Sequence, residues 1–181
     1  WMTAGRGIVH SEMPLQKEGL MKGFQLWVNL HSDEKMQPPR YKDIKASDIT
    51  FIEEGSTRIK LIAGNYKEYK GPIQGLTTEL DYFDISISED PFSFIGDREK
   101  NYFLYPFEGE IEVDDETLSS RNGICFSGPI KITTRNQSRF LLIGGKPLFE
   151  PIFQYGPFVM NTKQEILQAM EDFQSGSFGK Q

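Results

Sequence analysis

Residues 20–31 read LMKGFQLWVNLH, and the stretch alternates. Phe24, Leu26, Val28 and Leu30 fall on one face, and Gln25, Trp27 and Asn29 on the other. That two-residue period predicts a half-buried β-strand. Further strand candidates follow at 57–63 (TRIKLIA), 82–87 (YFDISI), 101–105 (NYFLY), 109–113 (GEIEV), 129–134 (PIKITT) and 139–143 (RFLLI). Turn signals separate them, among them Gly55, Gly64, Gly71-Pro72, Asp90-Pro91, Asn122-Gly123 and Gly128-Pro129. Short strands at this spacing predict an antiparallel sandwich or barrel. The stretch MQPPRYKDIKASD (36–48) reads as a linker, since its prolines block ladder hydrogen bonds. One helix is predicted near the C-terminus. Thr162 and Glu165 have capping-box spacing, with Asn161 a rival N-cap, and Gly176 and Gly179 stop the helix. Between them Ile166, Leu167, Met170 and Phe173 recur at helical spacing, which reads as core packing.

Composition bounds the function. The 181 residues are 38% hydrophobic and 13% aromatic, which suits a folded core and one large or two small domains. A formal net charge of −6 argues against non-specific binding to nucleic acid, which needs a basic footprint. The single cysteine, Cys125, excludes an internal disulfide and fits a reducing compartment. No histidine near it in sequence would activate it, so it reads as a buried structural thiol. No apolar run reaches transmembrane length and no signal peptide is visible, so the expected location is cytoplasmic, or nuclear in a eukaryotic host. The acidic run at 108–116 (EGEIEVDDE) reads as a solvated hairpin face.

The candidate metal ligands are His10 and Glu12, in WMTAGRGIVHSEMP (1–14). On a strand, residues two apart project from the same face. An imidazole nitrogen and a carboxylate oxygen would then share one space, half of a mononuclear site for Fe, Mn, Ni or Zn. From spacing alone such a pair is usually an incidental polar face. The only other histidine, His31, precedes Ser32-Asp33-Glu34 and reads as a solvated strand end. No histidine follows it, so a histidine-based metal site further along the chain is excluded. Gly5-Arg6-Gly7 reads as a turn before a strand, because no helix N-terminus comes after it to bind an anion.

The runs WMTAGRGIVHSEMP (1–14), GLMKGFQLWVNL (19–30), KMQPPRYKDI (35–44) and LFEPIFQYGPFVMNT (148–162), with the closing glycines near 176–179, resemble the pirin family. TAGRGIVHSEMP paired with GPFVMNT is the most specific part. Pirins are similar to one another as two-domain members of the cupin superfamily, each domain a small antiparallel β-barrel. The resemblance implies an all-β, cupin-type fold: a complete C-terminal cupin, the last strands of an N-terminal cupin, and one C-terminal helix. Residues 1–45 would be the remnant of the first, metal-binding cupin, and 46–181 the second, metal-free cupin with its helix.

The resemblance also implies a metal, commonly iron, held by three histidines and one glutamate. By position in the motif, His10 and Glu12 match the last two ligands. Glu12 is also the candidate catalytic residue, as proton acceptor for a substrate hydroxyl. The family's first two histidines lie upstream of the motif, and nothing in this chain replaces them. Fe, or another divalent transition metal, is therefore expected only if that pair is supplied. The expected routes are a separate polypeptide carrying the missing N-terminal half or two copies exchanging strands. In a third arrangement, residues 1–30 pack on the second cupin alone. The implied function is quercetin 2,3-dioxygenase-type chemistry on a flavonol-like small molecule, with little or none expected from these 181 residues alone. The alternative is an iron-dependent nuclear transcriptional co-regulator acting through protein partners, with no direct nucleic-acid contact and no membrane.

Overall fold

YFDISI becomes the strand Asp81–Ile87, with Asp81, Phe83, Ile85 and Ile87 buried and the residues between them half-buried. The computed structural model describes residues 1–13 and 18–180. The chain is organised in two units, Trp1–Lys42 with Leu148–Gln181, and Asp43–Pro147.

The second unit holds two antiparallel sheets. The six-stranded sheet runs in the order Ile124–Phe126, Asn101–Glu108, Ser138–Gly145, Asp81–Ile87, Thr57–Ala63, Thr50–Glu54. The four-stranded sheet runs Glu116–Ser119, Glu110–Val113, Pro129–Thr133, Phe92–Ile95. Alternate residues of both sheets meet in one core, including Ile59, Leu61, Phe83, Ile85, Leu142 and Phe140 from the first and Ile111, Ile132 and Phe94 from the second. Rings fill its middle. Phe94 stands edge-on to Phe83 and to Tyr102, with centroids 5.9 and 5.1 Å apart, and Tyr102 stacks on Phe126 at 5.2 Å. Burying such side chains contributes about 1.5–3 kcal/mol each.

Turn chemistry sets the register. Glu54 pairs with Thr57 across a two-residue loop whose first residue, Gly55, has φ +58, the requirement of a type II′ hairpin. Val113 pairs with Glu116 across Asp114-Asp115, both at positive φ. Asp tolerates that region better than most residues. The acidic run is thus a hairpin, as expected. In the strand Asn101–Glu108, the pairing with Ser138–Gly145 slips between Arg139 and Phe140, so Phe107 is the extra residue beside Pro106. A bulge is where a strand accommodates a proline.

One buried ion pair stands at the end of this core. Lys100 Nζ donates to Asp81 Oδ2 at 2.8 Å, and Tyr102 Oη donates to the same oxygen at 3.2 Å. The two charged side chains are only 10% and 8% exposed. Burial, more than the neighbouring carboxylates, pushes the Tyr102 hydroxyl well above the ordinary phenol range.

The first unit is built differently. Met2–Thr3 pairs antiparallel with Arg40–Tyr41, and Phe153–Tyr155 pairs with Phe158–Met160. The helix Lys163–Ser175 starts as predicted. Thr162 Oγ1 accepts from Glu165 N and donates to Glu165 Oε2, and Gly176 closes the helix with φ +74. Phe158, Phe173 and Phe178 pack edge-to-face with centroids 5.6–6.2 Å apart.

Three expectations change here. The stretch 36–48, read as a linker, holds the short strand Arg40–Tyr41, which starts just after Pro38-Pro39 and so keeps its N–H groups for Met2–Thr3. Residues 20–31 belong to no strand. The alternation persists only weakly, with Leu26, Val28 and Leu30 half-buried and Trp27 58% exposed. A strand exists only with a ladder partner, and no described residue pairs with this stretch. Cys125 is exposed rather than buried. It is the middle residue of an edge strand opposite Phe103, so alternation turns Ile124 and Phe126 toward the core and the thiol outward.

Candidate metal-ligand segment

The N-terminal segment is anchored before it reaches the candidate ligands. Trp1 and Lys42 exchange backbone hydrogen bonds at 2.8 Å, from Trp1 N to Lys42 O and from Lys42 N to Trp1 O. Gly5-Arg6 then turns, closed by Gly7 N donating to Ala4 O at 3.0 Å. Both glycines are required. A Cβ on Gly5 would lie 2.1 Å from Gln37 O, and one on Gly7 2.5 Å from the Phe178 ring, with φ positive at both positions. The turn read from the sequence is therefore present, but the chain after it forms no strand.

His10 and Glu12 lie beyond this turn, outside any strand, and both are exposed. The same-face geometry that strand pairing would impose is therefore not fixed by a ladder. Gln25 Nε2 donates to Glu12 Oε1 at 3.4 Å, which ties Glu12 to the alternating stretch. Among the described residues no group of three or more His, Cys, Asp or Glu side chains could hold a metal ion. Three or four protein donors are usual for a transition-metal site. His10 and Glu12 alone therefore fall short of a closed metal site, which needs further donors.

The better-formed polar centre of this unit is built around Glu150, and it includes His31. Instead of ending a strand in solvent, His31 is the N-cap of the helix Ser32–Lys35, its Nδ1 accepting from Asp33 N at 3.4 Å. Its Nε2 lies 3.0 Å from Glu150 Oε1. Glu150 also accepts from Ser32 Oγ at 2.6 Å, Ser32 N at 2.9 Å and Asn161 Nδ2 at 3.0 Å. The Ser32 hydroxyl is the largest cause holding the Glu150 carboxyl below the ordinary range. The Ser32 N–H, Asn161 amide and His31 add to it, and partial burial opposes them. Lys35 is buried beside this cluster, with Nζ donating to Asn29 Oδ1 at 2.5 Å and to Val159 O at 3.4 Å. Burial pulls its pKa down, against the raising effect of Glu150 and Glu165.

Glu150 and Asn161 were legible as motif residues in LFEPIFQYGPFVMNT, but their partners were not. Spacing cannot show that a carboxylate at 150 will meet a serine at 32. The geometry shows that the two motif-bearing ends form one unit. Phe178 packs on Gly7, and Glu150 clamps the start of the short helix. Residues 82–179 match the pirin C-terminal cupin domain, and residues 1–28 match the pirin family.

The chain belongs to the pirin family.

Pirin relatives align over almost all of it. A pirin-like protein of Caulobacter vibrioides is 39% identical over 187 residues, covering 98% of this chain and 66% of that protein. Pirin of Homo sapiens is 34% identical over 190 residues, covering 99% of this chain and 64% of its own length. A crystal structure of quercetin 2,3-dioxygenase from Acinetobacter baumannii is similar with a TM-score of 0.78. It is 33% identical and covers 84% of this chain and 55% of that one. The chain thus spans just under two thirds of the length of the first of these pirin relatives. The pirin assignment, with its mostly β structure and one main C-terminal helix, agrees with the cupin fold expected from the motifs. No helix is long and apolar enough to cross a membrane among the described residues.

Proposed function

We propose that this chain is the larger part of a pirin-type, metal-dependent cupin with quercetin 2,3-dioxygenase-type chemistry on a flavonol-like substrate. The observation that carries the reading is the likeness to the quercetin 2,3-dioxygenase of A. baumannii, at 33% identity over 84% of the chain. In this reading residues 1–45 belong to a first cupin and 46–181 form the second. His10 and Glu12 are two of the metal's ligands, and the remaining donors come from outside these residues. With those donors in place His10 and Glu12 would help hold the metal, commonly iron in the family, which would supply Lewis acidity toward the substrate's hydroxyl oxygen. Glu12 would accept that hydroxyl's proton, its Oε1 oriented by the Gln25 amide.

Exposed apolar side chains support completion by further protein. In the first unit Val9, Met13, Leu20, Met21, Trp27 and Phe149 are all exposed, apolar area that further protein would cover. The same surface favours the second reading, a protein-binding co-regulator.

Native mass spectrometry of the purified chain, with metal analysis and a quercetin-consumption assay, tests the proposal. Metal bound together with a companion polypeptide or a second copy, and lost in His10→Ala and Glu12→Gln, is the expected result. Turnover should follow the metal. Metal binding and turnover unchanged in both variants would overturn the assignment of these ligands.

A further inference from the structure

The outer face of the six-stranded sheet carries an open groove of about 390 Å³, within the size range of small-molecule sites. Register builds it in two rows. Phe51, Lys60 and Asp84 are successive cross-strand partners. One step along, so are Arg58, Ser86 and Arg139. Three cations therefore meet on a surface that belongs to an acidic chain.

Those cations are not equally free. Arg139 is engaged: Nε donates to Asp84 Oδ1 at 2.7 Å, a second nitrogen donates to Oδ2, and the guanidinium lies 5.1 Å from the centroid of Phe107. The bulge after Pro106 is what sets that ring beneath it. Arg58 is loosely held, its Nε 3.4 Å from Glu53 Oε1, with both side chains well exposed. The Lys60 side chain has no hydrogen bond or ion pair with any described residue. Beside it, on the edge strand, Phe51 is 53% exposed.

We propose that this groove binds a small aromatic carboxylate, with the carboxylate between Lys60 and Arg58 and the ring against Phe51. Two under-used cations side by side are suited to one carboxylate, and the exposed ring supplies a flat apolar surface next to them. A bare phosphate fits less well. The strand backbones here spend their N–H groups on ladder hydrogen bonds, so no amide cradle forms. Glu108, the cross-strand partner of Arg139, lines the far end and disfavours a second negative charge. This site is independent of His10 and Glu12 and does not rest on the proposed dioxygenase chemistry.

Titration of sodium benzoate into the isotope-labelled full chain, followed by backbone amide NMR, tests it. Saturable shifts at Phe51, Arg58, Lys60, Ser86 and Arg139 are expected, with inorganic phosphate giving much weaker ones at the same concentration. Lys60→Gln and Phe51→Ser should each weaken benzoate binding about five-fold, whereas Lys131→Gln on the other sheet should not. All three sites are exposed, so folding is preserved and is checked by the rest of the spectrum. Benzoate and phosphate binding equally, shifts that do not saturate, or Lys60→Gln binding like the parent would each overturn the proposal.

Discussion

Replacing Lys100 with methionine should destabilise the second unit far more than its single ion pair suggests. Met fills nearly the same volume as the lysine stem, so packing changes little. What remains is Asp81, its side chain 8% exposed, with Tyr102 Oη at 3.2 Å as its remaining side-chain hydrogen-bond donor. Removing one partner of a buried pair costs about 3–5 kcal/mol, because the other charge stays buried and uncompensated. For a chain of this size each kcal/mol lowers Tm by about 2–4 °C, so the expected loss is about 6–20 °C. The positions of the chromophores decide the readout. Five of the seven tyrosines, Tyr66, Tyr69, Tyr82, Tyr102 and Tyr105, lie in the second unit, whereas Trp1 and Trp27 lie in the first with Tyr41 and Tyr155. Near-UV circular dichroism of tyrosine therefore reports mainly the unit that is perturbed, and tryptophan fluorescence reports the other. The double variant Asp81→Asn/Lys100→Met should recover most of the loss, since it removes the stranded charge. A drop below about 3 °C in the single variant, or a double variant no better than the single, would refute the argument from desolvation.

Gly7→Ala should cost about 2–4 kcal/mol, combining a strained positive φ with a Cβ pressed into the Phe178 ring, measured by urea unfolding through tryptophan fluorescence. Glu150 has a depressed folded-state pKa, so its stabilising contribution is present above the ordinary carboxylate pKa and disappears as pH falls through the folded value. Acid titration of tryptophan fluorescence should show the first unit loosening on that limb, and Glu150→Gln should flatten the dependence there. Cys125 should react with a thiol reagent in the native state at a rate close to that of the unfolded chain, and slow protection like that of a core thiol would contradict its outward position.

The second unit was largely legible in the sequence because its information is local. TRIKLIA and YFDISI carry clean alternation, and both are strands with alternate residues buried. The strand Phe92–Ile95 was missed, since four residues behind Asp90-Pro91 look like part of a turn. Thr50–Glu54 was hidden by its own composition, with Glu53 and Glu54 on an edge strand where polar residues are tolerated. In the first unit, alternation misled at 20–31 because period records which side chains seek burial, and only a partner strand makes a ladder. His10 and Glu12 are candidates from their two-residue spacing and from the motif, and among the described residues Gln25 is the side chain that hydrogen-bonds Glu12. The pairing of Glu150 with its cluster escaped sequence reasoning, because the members are drawn from residues 29–35 and 150–165.

The first unit is written in two instalments, Trp1–Lys42 and Leu148–Gln181. Its contacts cannot close until residues 150 and 178 have left the ribosome, because Gly7 waits for Phe178 and Ser32 waits for Glu150. The intervening sheets are contiguous in sequence and can assemble earlier, and by doing so they shorten the loop that the late closure must span. The contacts of Gly7 and Ser32 are therefore separated from their partners by a whole sheet unit, and they form after that unit has had time to fold.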